Sequence, residues 1–347
     1  MRVWGLLLTA IALVLGLAWH LLVPSPPPVP VAAEVPYAKV LGAPRPHADK
    51  ARLPELAMHL GWSRDGGAVI AHQEDGTIRR WEIATGASTA IAQTASVFAH
   101  CPQGERLLVN LGGNTVLLSL TDGAFTRLAE GRQDHAAVSA DCSVLAMANE
   151  DKPTVRLWRS DGSWREVPTA QPVRNSLTLS ADGRFLAAAG GTWSANEGHR
   201  TVVEVFDLGD AGASRTATHD SPEEVLGMWA MAFSADGAGL MLGSQIQGQS
   251  GLRHIETQSG AVRWGHDGFS SYWVRALAVS LDGITLATGD EKGFLRLWDA
   301  DTGTRLAEYG TGLVIQSLAF SPDGRWLAIG LWNGTIGIAS VKSLLKL

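Results

Sequence analysis

Residues 277–303 read LAVSLDGITLATGDEKGFLRLWDADTG, and the punctuation of this stretch decides the fold. A short apolar run, Leu277-Ala278-Val279, meets the turn Ser280-Leu281-Asp282-Gly283. A second apolar run follows, and a third ends on Trp298-Asp299 shortly before Thr302-Gly303. Asp-Gly suits a hairpin turn because both residues tolerate positive φ. The stretch therefore reads as short antiparallel strands joined by tight turns.

The same turn recurs along the chain. It reads Ser63-Arg64-Asp65-Gly66, Ser180-Ala181-Asp182-Gly183, Ser234-Ala235-Asp236-Gly237 and Ser321-Pro322-Asp323-Gly324. Two degenerate copies, Cys101-Pro102-Gln103-Gly104 and Ser139-Ala140-Asp141-Cys142, fill the gap. The seven copies are spaced by 38, 38, 41, 54, 46 and 41 residues. A period of about 40 residues with several short strands each points to propeller blades. Runs such as Leu186-Ala187-Ala188-Ala189 and Trp326-Leu327-Ala328-Ile329 are apolar at every position. A half-exposed sheet would alternate apolar with polar, whereas sheets stacked radially bury both faces.

These features resemble the WD40-repeat family, whose repeats carry a Ser-Pro-Asp-Gly turn, an Asp-Gly turn and a strand ending in Trp-Asp. Trp298-Asp299 matches fully, while Trp81-Glu82, Trp158-Arg159 and Phe206-Asp207 match in part. Asp75-Gly76 matches the second turn and Asn333-Gly334 approximates it, whereas the family's Gly-His pair is matched only by Gly265-His266. The resemblance covers residues 36–347 and implies an all-β, seven-bladed propeller. It says little about function. Too little chain follows the last blade for a fourth strand, so Tyr37 to Leu41 is expected to supply it and leave no open edge. Trp62, Trp81, Trp158, Trp298 and Trp326 fall on strands and are expected in the core.

The N-terminus bears on compartment. Val3 to Val23 carries no charge, and at about 1.5 Å per residue its 21 residues span a hydrocarbon core. Residues 1–23 are therefore expected to be a transmembrane anchor or signal segment, and 24–35 a Pro-rich linker to the propeller. Val31-Ala32-Ala33 is a candidate cleavage site, but five prolines separate it from the apolar run, which favours an uncleaved anchor. Either reading places the propeller on the periplasmic side of an inner membrane. The two cysteines, Cys101 and Cys142, fit no zinc spacing. In a reducing compartment they read as buried thiols. In an oxidising one, their near-equivalent places in neighbouring repeats predict a disulfide.

The net charge of −6, with no Lys/Arg cluster to offset it, argues against a nucleic-acid partner. No nucleophile elbow and no phosphate-cradling Gly-rich loop is present, so no catalytic residue and no cofactor is expected. The long spacings mark extra length at residues 190–200, 219–228, 245–251 and 265–273, which the family topology puts on one face. These segments carry Trp193, His199, Glu223, Glu224, His266, Asp267, Phe269, Tyr272 and Trp273, and Trp332 extends the surface. Aromatics with a few charges suit recognition of another protein; the competing reading packs them onto their own loops. His219, Asp220, Glu223, Glu224, His266 and Asp267 show no metal-ligand spacing, so no metal is expected. The alternative to a protein-binding scaffold is a periplasmic, lactonase-like hydrolase with a metal at the central channel.

Overall fold

The structure, a computed structural model, describes residues 33–42, 59–73, 76–93, 96–101, 103, 105–194, 198–209, 212–221, 228–246, 249–270 and 272–346. The apolar run 3–23 and the prolines 24–30 lie outside the described residues. Among those described, no helix is long and apolar enough to cross a membrane.

Seven antiparallel sheets follow one another in chain order. Six of them have strands a to d in succession. In blade 6 these are Val274–Val279, Thr285–Asp290, Phe294–Asp299 and Arg305–Gly310. The a strands touch one another in circular order, and the last, Ile315–Phe320, meets the first, Leu60–Trp62. The sheets therefore form a closed ring of seven blades around a channel lined by a strands.

The b strands have no face open to solvent. Ala68–His72, Val144–Ala148 and Thr285–Asp290 are buried at every position. Successive side chains point to opposite faces, and here both faces meet another blade. In blade 3, Leu145 and Met147 pack with Leu108 and Leu117 of blade 2, whereas Val144, Ala146 and Ala148 pack with Leu177 and Leu186 of blade 4. The same division holds around the ring, with one apolar cluster at each of the seven blade interfaces. Trp62 and Trp298 are buried in these clusters, and Trp81, Trp158 and Trp326 pack against them half-buried.

Each Ser-x-Asp-Gly turn closes an a–b hairpin through one hydroxyl. Ser321 Oγ donates to Asp323 Oδ1 at 2.6 Å and accepts the Trp326 N–H at 3.0 Å. Ser63, Ser180, Ser234 and Ser280 make the same pair of bonds. Cys142 stands at the glycine position of the blade 3 turn, with φ of 62°.

The ring closes with N-terminal chain. Tyr37–Leu41 pairs antiparallel with Ile336–Ser340 as strand d of blade 7. Gly337 makes room for the Tyr37 ring, which a Cβ there would strike, and burial pushes the Tyr37 phenol up to about 12. Lys39 Nζ donates to the Ile83 carbonyl at 2.6 Å, tying this strand to blade 1. The linker expected over 24–35 gives up its last residues to the propeller: Ala33–Glu34 lies parallel to Tyr309 and Gly310 on the edge of blade 6, and Val35 is buried. At the other end, Val341–Leu345 forms a short helix whose Leu344 is buried and whose Leu344 carbonyl accepts from Tyr309 Oη at 2.7 Å.

Leu41 is fully packed between blades 7 and 1. Leu41→Ala is expected to cost about 2–4 kcal/mol of unfolding free energy in chemical denaturation. The turns make a second expectation testable. The Ser321 hydroxyl holds the Asp323 carboxyl below its usual range. A carboxylate depressed in the folded state adds stability above its unfolded pKa, about 3.9, and that stability is lost as pH falls through the folded value. Ser321→Ala should lower stability by about 1 kcal/mol at neutral pH and flatten the decline below about pH 4, both read by denaturation at several pH values.

Candidate functional site

Antiparallel order puts the b–c hairpins and the d-to-a links at one end of the ring, and the a–b and c–d turns at the other. The extra residues of blades 4 and 5 lie at the b–c end, but largely as sheet. In blade 4, Phe185–Ser194 pairs with Gly198–Asp207 out to Ser194 and Gly198. Trp193 and His199 are direct register partners on this extension. In blade 5, Gly239–Ile246 pairs with Gln249–Glu256 out to Ile246 and Gln249. The segments read as loops contain enough β-branched and aromatic residues, such as Thr192, Trp193 and Thr201, to prolong the ladder. Glu223 and Glu224 lie outside the described residues.

The link from blade 5 to blade 6 divides into two parts. His266 and Phe269 are engaged within the blade interface. The His266 ring stacks on Trp298 with centroids 5.3 Å apart, and its Nε2 is 2.7 Å from the Gly303 carbonyl. Phe269 meets Trp298 edge-on at 5.2 Å, and the Arg296 guanidinium lies 5.2 Å over its ring. Trp298 is itself fixed by its indole N–H, which donates to Thr288 Oγ1 at 2.9 Å.

Tyr272 and Asp267 are exposed, and Trp273 is half-buried. Lys292 Nζ sits 4.4 Å over the Tyr272 ring, and Arg275 lies 6.0 Å from the Trp273 centroid. Arg275 also pairs with Glu291 at 2.6 Å, and Asp267 with Arg253 at 2.6 Å. Trp332, half-buried in the b–c turn of blade 7, is held by its N–H donating to the Val314 carbonyl at 3.0 Å. The group is thus two aromatic rings braced by cations, beside the projecting hairpins of blades 4 and 5. Arg275, Glu291 and Lys292 escaped the sequence reading. The charged turn Glu291-Lys292 between strands b and c of blade 6 was the available signal.

Beneath this group lies a buried charge network. Arg296, 3% exposed, pairs with Asp290, 1% exposed, at 2.7 Å and with Glu308 at 2.7 Å. Asp290 Oδ1 also accepts the Lys292 and Phe294 N–H groups, so the b–c turn of blade 6 is anchored from below. Removing one partner of such a pair costs more than the pair contributes, because the other charge stays buried. Among the described residues, no three His, Cys, Asp or Glu side chains gather closely enough to hold a metal ion.

Cys101, on strand a of blade 2, and Cys142, in the a–b turn of blade 3, have Cα atoms 5.5 Å apart with their sulfurs within bonding distance. Both are buried in the cluster between these blades.

The model for the WD domain, G-beta repeat, matches residues 260–299 and 304–338. The first match takes in strand d of blade 5 and strands a to c of blade 6, and the second the corresponding strands one blade on. Together with the closed ring of seven sheets, these matches define the class of protein: a seven-bladed β-propeller that carries WD40 repeats at residues 260–299 and 304–338. Its sequence is similar to the small ribosomal subunit protein RACK1z of Oryza sativa subsp. japonica, at 40% identity over 20% of this chain and 21% of that protein. It is also similar to the WD repeat-containing protein SL1-17 of Schistosoma mansoni, at 30% identity over 44% of this chain and 48% of that one. The matched region is about a fifth of the length of the first curated relatives. A chain in the crystal structure of the mitotic checkpoint complex has the same fold, with a TM-score of 0.68 at 18% identity over 92% of this chain and 95% of that one.

If the disulfide forms, the native, non-reduced protein should show no thiol reactive to alkylation after unfolding, and Cys142→Ser should lose about 2–4 kcal/mol of stability. Stoichiometric labelling of both cysteines would exclude the bond.

Proposed function

We propose that this propeller is a non-catalytic, protein-binding scaffold, tethered to the inner membrane through residues 3–23, with the ring on the periplasmic side. There it supports assembly or maturation of a periplasmic or membrane complex. The observation that carries this reading is the concentration of projecting structure at one end of the ring. The hairpins of blades 4 and 5 extend beyond the others, and the braced rings of Tyr272 and Trp273 lie beside them. Rigid aromatics on a fixed framework lose little entropy on binding and make good anchors for a partner. Two of the similar proteins, named for a ribosomal subunit and a checkpoint complex, belong to assemblies, in keeping with a role in protein contact. The uncharged run 3–23 supports the tether, and the facing cysteines fit an oxidising compartment.

The double variant Trp193→Ala/Trp273→Ala should reduce co-purification of the partner from solubilised membranes at least tenfold while the melting temperature stays within a few degrees of the parent. His266→Ala should instead lower the melting temperature, since that ring packs inside the ring of blades. Undiminished co-purification by the double variant would remove this end of the propeller as the docking surface.

A further inference from the structure

Strand a of blade 1 is only three residues long, Leu60–Trp62, against seven in blade 4. Beside it the channel widens into a cavity of about 410 Å³. That volume is within the range of small-molecule sites. Its walls come from blades 1, 2, 3, 6 and 7 and are mainly apolar: Leu60, Trp62, Ile70, Leu107 and Phe320 among them. Trp62 is held in place by its indole N–H, which donates to the Ala319 carbonyl at 2.9 Å.

Three imidazoles, His59, His72 and His100, interrupt the apolar wall. Burial pushes both His59 and His100 down to about 4, with His72 adding to the effect on His59. His59 has surface open to the cavity although protein surrounds it. At neutral pH these two rings are therefore uncharged. The His100 ring lies against Gly61, where a Cβ would collide with it, and its buried Nε2 has no hydrogen-bond partner among the described residues.

The charge in the lining is one-sided. Among the described residues it contains no Asp, Glu or Lys, and Arg64 is the only arginine. Arg64 sits exposed in the a–b turn of blade 1, and no ion pair engages its guanidinium among the described residues. Next to it on this rim are Gln103 and Leu281, the latter 57% exposed in the a–b turn of blade 6. The opening thus pairs one free guanidinium with an apolar interior. The planar fork of arginine matches a carboxylate with two parallel hydrogen bonds.

We propose that the channel cavity binds an amphiphilic monocarboxylate, a medium-chain aliphatic acid whose chain lies against Leu60, Ile70, Leu107 and Phe320 and whose carboxylate meets Arg64. Arg64, Gln103 and Leu281 line the cavity from the a–b turns, at the end opposite the projecting hairpins. The proposal is therefore independent of the protein-docking reading, and its failure would leave that reading untouched.

The test uses the full chain in lipid nanodiscs and a diazirine-bearing dodecanoic acid, with crosslinked peptides located by mass spectrometry. Label is expected within residues 59–72, 99–107 and 318–322. Excess dodecanoate should displace it, and dodecyltrimethylammonium should not. Arg64→Gln, on an exposed turn, should retain the parent melting temperature and lose label at these positions at least tenfold. Ala99→Phe, which fills the cavity from the wall, should lose it as well. Labelling of these peptides that resists excess dodecanoate, or that is equal in Arg64→Gln, would overturn the proposal. So would label confined to residues 1–32.

Discussion

The structure depends on strands that have no surface to show to water. A b strand such as Val144–Ala148 is apolar on both faces, so its sheet needs a neighbour on each side, and those neighbours need neighbours in turn. An open stack would always leave two greasy ends. A circle leaves none, provided its last sheet finds a partner for its edge. Burying one large apolar side chain contributes about 1.5–3 kcal/mol. The seven interfacial clusters are thus the main cohesive term, and each belongs to two blades rather than one.

That shared ownership is visible in how the repeat sits on the architecture. The matched segment 260–299 begins with the outer strand of one blade and ends with the third strand of the next. The unit of sequence therefore bridges two units of structure. Tyr37–Leu41 completes this pattern at the seam, and Lys39 and Leu41 carry it into blade 1. Cys101 and Cys142 lie across one more boundary, between blades 2 and 3. Three kinds of interaction thus span blade boundaries: packing, strand exchange and facing thiols.

The blade count and the closing strand were legible because they rest on local chemistry. Ser-x-Asp-Gly encodes its own hairpin through one hydroxyl and one left-handed residue, and that signal survives in the degenerate copy where Cys142 replaces glycine. The site was harder to read. Trp193 and His199 fell in a segment that looked like a loop by its glycines, yet the ladder continues through it, because strand pairing is decided by the partner strand as much as by composition. His266 looked exposed in its sequence context and is instead stacked on Trp298, a residue 32 positions later. The Asp290–Arg296–Glu308 network gave no warning, since its three members stand on three different strands and meet only when the sheet forms. Nor did Ala33-Glu34, whose composition carries no β preference and whose pairing is dictated by the free edge of blade 6.

The seam has a temporal side. Strand d of blade 7 is translated before any blade, yet its hydrogen-bonding partner, Ile336–Ser340, is translated after every other strand of the ring. Throughout elongation the early segment waits while sheet after sheet emerges, and the ring can lock only once blade 7 has been made. A prematurely terminated product carries the latch without its catch. Quality control by proteases could then tell complete molecules from fragments simply by whether the circle has shut.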